Sequence, residues 1–153
     1  MKLKTLLIIA ITSIALTSRA QSDTFRARVF NVNDRLALEG FDPVSYFHGR
    51  PREGDEGIHF TYKNIRYLFT SISNLNAFKS DPEKYEPAYG GWCAFAMGES
   101  GEQVKVDPET FKIIEGRLFL FYNFWGNNTL EDWNENERTL KKAADENWRK
   151  IIQ

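Results

Sequence analysis

The chain has 153 residues, of which 42% are hydrophobic and 14% aromatic, and its formal net charge at pH 7 is −1. This length fits one domain, and the 22 aromatic side chains supply enough apolar area for a single core. The near-neutral charge argues against a basic surface that binds nucleic acid, and a single cysteine excludes an internal disulfide.

The first twenty residues have the pattern of a secretory leader. Lys2 and Lys4 precede an apolar run from Leu6 to Leu16, and Ser18-Arg19-Ala20 fits the small-x-small pattern at a cleavage site. The run is shorter than the roughly 20 residues that cross a bilayer. We therefore expect residues 1–20 to be a signal peptide, and residues 21–153 to be exported, periplasmic or secreted, without a membrane anchor. Removal of the leader leaves 17 Lys and Arg against 21 Asp and Glu, a formal charge of −4.

Apolar and polar residues alternate in the first half of the mature chain. The segment from Phe25 to Asn33 predicts a short strand or an extended arm. Proline in Asp42-Pro43 favours a turn there. Alternation in Ile58–Tyr62 and again in Ile65–Phe69, on either side of Lys63-Asn64, predicts a β-hairpin with one apolar face.

Helix-start signals and a second hairpin follow. Ser71 or Ser73 is placed to cap a helix, and Asp81-Pro82 predicts a further helical turn with proline at its first position. The segment from Ile113 to Tyr122 predicts a second hairpin around Glu115-Gly116. Its second strand is apolar on both faces, which is typical of a strand covered on both sides.

The C-terminal segment has helical spacing. Thr129-Leu130-Glu131-Asp132 has the spacing of a capping box. One apolar stripe then indicates a terminal helix packed on the sheet: Leu140, Ala144, Trp148 and Ile151. These elements predict an α+β fold, a single small domain with an antiparallel sheet, helices packed on one side and a C-terminal helix.

The only cysteine lies in a segment with two glycines and many aromatic residues, Tyr89-Gly90-Gly91-Trp92-Cys93-Ala94-Phe95-Ala96-Met97. Three interpretations of the Cys93 thiol are open. Free cysteine is often a buried, inert core residue. A thiolate also binds soft metals. A redox or nucleophilic thiol would need a nearby cation or a helix N-terminus to lower its pKa.

The metal interpretation has a specific form. If this segment is helical, Cys93 and Met97 lie one turn apart on one face and suit monovalent copper, with His48 or His59 as a third ligand. If it is a strand, Cys93 and Met97 still share a face. In the competing interpretation, Met97 fills the core and both histidines are surface residues.

Two further interpretations concern organic ligands and catalysis. Tyr89, Trp92 and Phe95 are candidates to wall a ligand pocket, although the same rings are also expected in the core of a small domain. A cysteine near a histidine and a carboxylate such as Asp42 could form a catalytic dyad or triad. The chain has no Gly-x-Ser-x-Gly, phosphate-loop or His-Glu-x-x-His motif, so we assign no catalytic residue and expect a non-enzymatic protein.

Several motifs, in order, resemble an exported YHS-domain protein. They are Leu38-Glu39-Gly40-Phe41-Asp42-Pro43-Val44-Ser45-Tyr46-Phe47, Tyr67-Leu68-Phe69, Phe78 with Asp81-Pro82-Glu83-Lys84-Tyr85, Tyr89-Gly90-Gly91-Trp92-Cys93-Ala94, Leu118-Phe119-Leu120-Phe121-Tyr122-Asn123, and Ala144-Asp145-Glu146-Asn147-Trp148. The resemblance spans about Asn33 to the C-terminus. It implies an α+β domain related to small metal-binding modules found beside copper and other heavy-metal transporters.

The resemblance also indicates which positions carry the metal ligands in relatives. Metal-binding relatives have cysteines at the positions of Ser45, Thr70 and Asn74, and neutral hydroxyl or amide groups are poor ligands for soft metals. These three positions are therefore not expected to hold a soft metal. The resemblance still implies a binding protein for a metal ion or a small ligand, with Cys93 as the candidate ligand for copper or another soft metal. The alternative is a ligand-binding or structural module with a buried, inert cysteine.

Overall fold

The computed structural model describes residues 22–153, so the predicted signal peptide at residues 1–20 lies outside the described part of the chain. Among residues 22–153, none of the helices is both long enough and apolar enough to span a membrane. The N-terminal part of the described chain is helical over residues 22–29, here called α1.

Helix α1 corrects the prediction of a strand or extended arm from Phe25 to Asn33. Phe25 and Val29 lie one helical turn apart and line a groove against Trp148 and Ile152 of the C-terminal region. Tertiary packing against this apolar surface outweighs the short alternation in the sequence, and only Val32–Asn33, at the end of the predicted segment, is a strand.

The first sheet has four strands, namely β1 (Val32–Asn33), β2 (Leu36–Ala37), β3 (Asp55–Tyr62) and β4 (Ile65–Phe69). Their order is β1-β2-β4-β3, with β2 parallel to β4 and the other pairs antiparallel. Strands β3 and β4 form the predicted hairpin. Lys63 and Asn64 at its turn both have positive φ, as a two-residue type I′ turn requires.

Helical elements occupy the middle of the chain: α2 (Ile72–Ser80), α3 (Pro82–Tyr85), a 3₁₀ turn (Ala88–Gly91) and α4 (Ala94–Glu99). Ser71 caps α2, as predicted, because its Oγ accepts a hydrogen bond of 3.1 Å from the Asn74 backbone N–H. Pro82 is the first residue of α3, also as predicted.

The C-terminal half contains β5 (Asp107–Ile114), β6 (Arg117–Phe121), β7 (Asn123–Phe124), β8 (Asn127–Asn128), α5 (Thr129–Glu135) and α6 (Glu137–Ile151). Strands β5 and β6 form the predicted second hairpin, with positive φ at Glu115 and Gly116. The cap of α5 differs from the predicted capping box. Asn128 is the N-cap, whereas the Thr129 hydroxyl donates to the Tyr122 carbonyl.

Strand β6 separates two apolar clusters, since its alternate side chains point to opposite sides. Leu118 and Leu120 belong to a cluster with the first sheet and α2, and Phe119 and Phe121 pack with Trp133 and the stripe of α6. The prediction of a strand covered on both faces is confirmed, and so is the α+β fold in one small domain.

Three buried tyrosines in these clusters make the free energy of unfolding depend on pH in the alkaline range. Burial, and then the Asp107 carboxylate, raise the pKa of Tyr46. Burial and Glu86 raise the pKa of Tyr67, and burial and Asp145 raise the pKa of Tyr89. The unfolded chain loses these phenol protons near pH 10, whereas the folded chain keeps them. Their contribution is therefore complete below about pH 10 and is lost as pH rises above it.

We expect the free energy of unfolding from urea titrations to fall steeply above about pH 10, together with tyrosinate absorbance that appears in the unfolding transition. Tyr46→Phe removes one of the three groups, so its stability should decline less steeply with pH than that of the wild type. A free energy of unfolding that stays constant up to about pH 11 would contradict this account.

Candidate functional site

Cys93 lies in the core. Its side chain is 0% exposed, and its Sγ is 3.4 Å from the backbone nitrogen of Tyr122 and 3.4 Å from Oγ1 of Thr129. The Cys93 backbone N–H donates to the Val104 carbonyl, and Cys93 forms a parallel bridge with Leu120. These contacts hold Cys93 against the edge of β6, where its thiol serves as a small core side chain.

The structure does not bring the candidate copper ligands together. Cys93 precedes α4 as its N-cap in a non-helical conformation, so its side chain packs in the cluster with Leu118 while Met97 packs in the cluster with Trp133. His48 and His59 are exposed, and the His59 ring forms a hydrogen bond with the Glu56 carbonyl. Within residues 22–153, no group of three or more His, Cys, Asp or Glu side chains is placed to hold a metal ion.

The candidate pocket aromatics take part in packing. Tyr89 is 1% exposed, lies edge-on to Phe119 and donates its hydroxyl hydrogen to Asp145. Trp92 donates its indole N–H to the Val29 carbonyl at 2.7 Å, and Phe95 packs against both apolar clusters. Each ring therefore has a structural role in this arrangement.

The glycine pair before Cys93 is explained by the chain's own packing. Gly90 has φ of +61°, and a Cβ there would lie 2.8 Å from the Trp148 ring and 2.9 Å from Phe30. Asn31 donates from its backbone to the Gly90 carbonyl and from its side chain to the Gly91 carbonyl. The segments that approach this glycine pair closely are the one after α1 and α6.

A different group of polar residues converges on Asp42, which is 0% exposed. One carboxylate oxygen accepts from the Val44 backbone at 2.9 Å. The other accepts from the Thr70 backbone at 2.8 Å, the Thr70 hydroxyl at 2.7 Å and the Asn74 amide at 2.6 Å. Asp42 thus ties the turn before Ser45 to the end of β4 and to the first turn of α2.

Ser45 completes this cluster from the other side. Its Oγ donates to the Asp42 carbonyl at 2.6 Å and accepts from the Arg52 backbone at 3.0 Å. Ser45, Thr70 and Asn74, the three positions singled out by the resemblance, are therefore neighbours around one aspartate, Ser45 at its main-chain carbonyl and the other two at its carboxylate. Nothing in the sequence pattern predicted this role of Asp42, although the Asp-Pro turn indicated its position.

These residues line an open pocket of about 400 Å³ at the N-terminus of α2, which we call the α2 pocket. Its lining residues are Ser45, His48, Arg50, Arg52, Thr70, Ser71 and Asn74. They include two arginines and a histidine but no acidic residue. A larger groove of about 640 Å³ beside α6 is lined by four acidic and four basic side chains, so it presents no net charge to a ligand.

Comparisons with known proteins add no constraint: no family model, no curated protein and no solved structure matches the chain.

Proposed function

We propose that this chain is an exported YHS-type binding module, that its ligand site is the α2 pocket, and that Cys93 is a structural residue. One observation carries the proposal. Ser45 is distant in sequence from Thr70 and Asn74, yet the three residues meet around buried Asp42 and line one pocket. By the resemblance, these are the positions at which metal-binding relatives hold their ligands. If the resemblance holds, the pocket lies where those relatives bind metal, but it carries hydroxyl and amide groups.

The chemistry of the pocket favours an organic or hydrogen-bonding ligand over a soft metal. Hydroxyl and amide oxygens bind soft metals poorly, whereas they orient small polar molecules by hydrogen bonds. Copper handling through Cys93, the other function that the sequence indicates, requires the Sγ atom to reach a metal. That step would break its contacts with Tyr122 and Thr129 and expose the core around β6.

The test is a competition titration of the mature, reduced protein with monovalent copper against a chromogenic chelator, beside Cys93→Ala. We expect no stoichiometric copper binding and no difference between the two proteins. In the same preparation, Ellman's reagent should modify Cys93 more than about 1000-fold more slowly in buffer than in guanidinium chloride, because reaction requires opening of the core. Copper bound at one equivalent by the wild type and lost in Cys93→Ala would overturn the structural role of Cys93.

A further inference from the structure

The α2 pocket has a floor made by Ser45, Thr70 and Asn74. The side-chain donor of each of these residues already forms a hydrogen bond within the chain. The Ser45 hydroxyl donates to the Asp42 carbonyl, and the Thr70 hydroxyl donates to the Asp42 carboxylate. The Asn74 amide nitrogen donates to Asp42 and also to Thr70 Oγ1 at 3.1 Å. Carbonyl and carboxylate oxygens only accept, so these directions are fixed. The Ser45 and Thr70 hydroxyls therefore offer a ligand lone pairs and no free hydrogen, and Oδ1 of Asn74 is a further acceptor.

The rim of the pocket has the opposite character. Arg50 and Arg52 are exposed, and within residues 22–153 neither forms an ion pair. Each guanidinium has five N–H donors in a planar fork that matches a carboxylate. Ser71 and exposed His48 complete the lining. A ligand in this pocket thus meets positive charge and donors at the rim.

The buried charge of Asp42 strengthens this polarity. Its carboxylate lies directly behind Thr70 and Asn74, and among the described residues it forms no ion pair. Buried charges act through a low local dielectric, so the floor favours a ligand group that donates hydrogen bonds or is positive. A purely anionic ligand would suit the rim and be repelled by the floor.

We propose that the α2 pocket binds a small carboxylate that carries a hydrogen-bond donor, a hydroxyl or an ammonium group, on the neighbouring carbon. The carboxylate binds Arg50 and Arg52, and the donor group binds the acceptors of Thr70 and Asn74. The volume of about 400 Å³ lies near the lower end for ligand pockets, which fits a small molecule. This inference rests on the proposed function, because it assigns a ligand class to the same pocket.

The test is a titration of the ¹⁵N-labelled mature protein with glycolate, glycine and acetate, followed by backbone amide shifts. Glycolate and glycine separate the hydroxyl from the ammonium form of the donor, and acetate lacks the donor. We expect at least one of the first two to give saturable shifts at Thr70 to Asn74. Acetate should bind the wild type about tenfold more weakly than the better of these two ligands. That better ligand should also bind the double variant R50Q/R52Q about tenfold more weakly than it binds the wild type. Arg149→Gln, an exposed arginine on α6, is the matched control and should bind as the wild type does.

Two results would overturn the inference. One is the absence of saturable shifts at residues 70–74 with both glycolate and glycine. The other is that acetate binds the wild type as strongly as the donor-bearing ligand does, or that the donor-bearing ligand binds R50Q/R52Q as strongly as it binds the wild type. Either would remove the ligand class while leaving the binding module in place. The structural role proposed for Cys93 fails on separate evidence, namely copper binding that depends on that residue.

Discussion

Asp42→Ala is expected to lower the free energy of unfolding by about 3 to 5 kcal/mol, the largest effect of a single polar substitution that we predict for this chain. The substitution removes the acceptor of four hydrogen bonds and leaves the backbone N–H groups of Val44 and Thr70 without their partner. Each buried donor that loses its partner costs about 1 to 3 kcal/mol. The Thr70 hydroxyl and Asn74 amide lose the same acceptor, but both line the pocket, where water can replace it.

The matched control for Asp42 is Asp81→Ala. Both aspartates precede a proline, but Asp81 is exposed and makes no capping hydrogen bond with its side chain. Urea titrations should place the loss in Asp81→Ala within about 0.5 kcal/mol. Asp42→Asn, which keeps the shape and one acceptor oxygen, should fall between the two. Equal stability of Asp42→Ala and Asp81→Ala would show that the network around Asp42 does not stabilise the fold.

Gly54→Ala is expected to cost about 3 kcal/mol of stability, because the new methyl group would overlap the main chain of β4. A Cβ at Gly54 would lie 2.5 Å from Cβ of Leu68, 2.6 Å from its carbonyl carbon and 2.7 Å from the Phe69 nitrogen. Backbone atoms of a paired strand cannot rotate away as a side chain can, so the segment that carries Arg50 and Arg52 must shift instead. Ligand binding in the α2 pocket should weaken along with stability.

Gly57→Ala provides the control three residues further on, within β3. Gly57 is exposed, and the single atom near its added Cβ is a carboxylate oxygen of Asp55 at 3.1 Å, which can rotate. The change should lie within about 1 kcal/mol of the wild type and can be stabilising, since alanine restricts the unfolded chain. Thermal and urea unfolding of the two variants side by side measure the difference. A Gly54→Ala protein as stable as Gly57→Ala would contradict the close packing at Gly54.

Local patterns predicted the elements that depend on local chemistry. Alternating side chains and two-residue turns located both hairpins, and the apolar stripe of α6 located the terminal helix, because neighbours in sequence determine these features. The same method failed at α1, where Phe25 and Val29 satisfy either a strand or a helix pattern. The groove that these residues line together with Trp148, more than a hundred residues away in sequence, decides that case.

The site could be predicted only in part, for a similar reason. The segment around Cys93 combines a thiol, two glycines and aromatic rings, which is typical of a binding site. In the structure, the glycines instead allow Asn31 and Trp148 to pack closely against the main chain. The cluster around Asp42 joins a turn, a strand end and a helix start. No spacing rule connects those three segments, so only the fold reveals that one carboxylate binds them together.

Cys93 is, in our proposal, a structural core residue and not the ligand of a soft metal. Competition with monovalent copper, measured on the reduced wild type and Cys93→Ala together, tests it most directly. We expect no stoichiometric copper binding in either protein. One equivalent of copper bound by the wild type and lost in Cys93→Ala would contradict it.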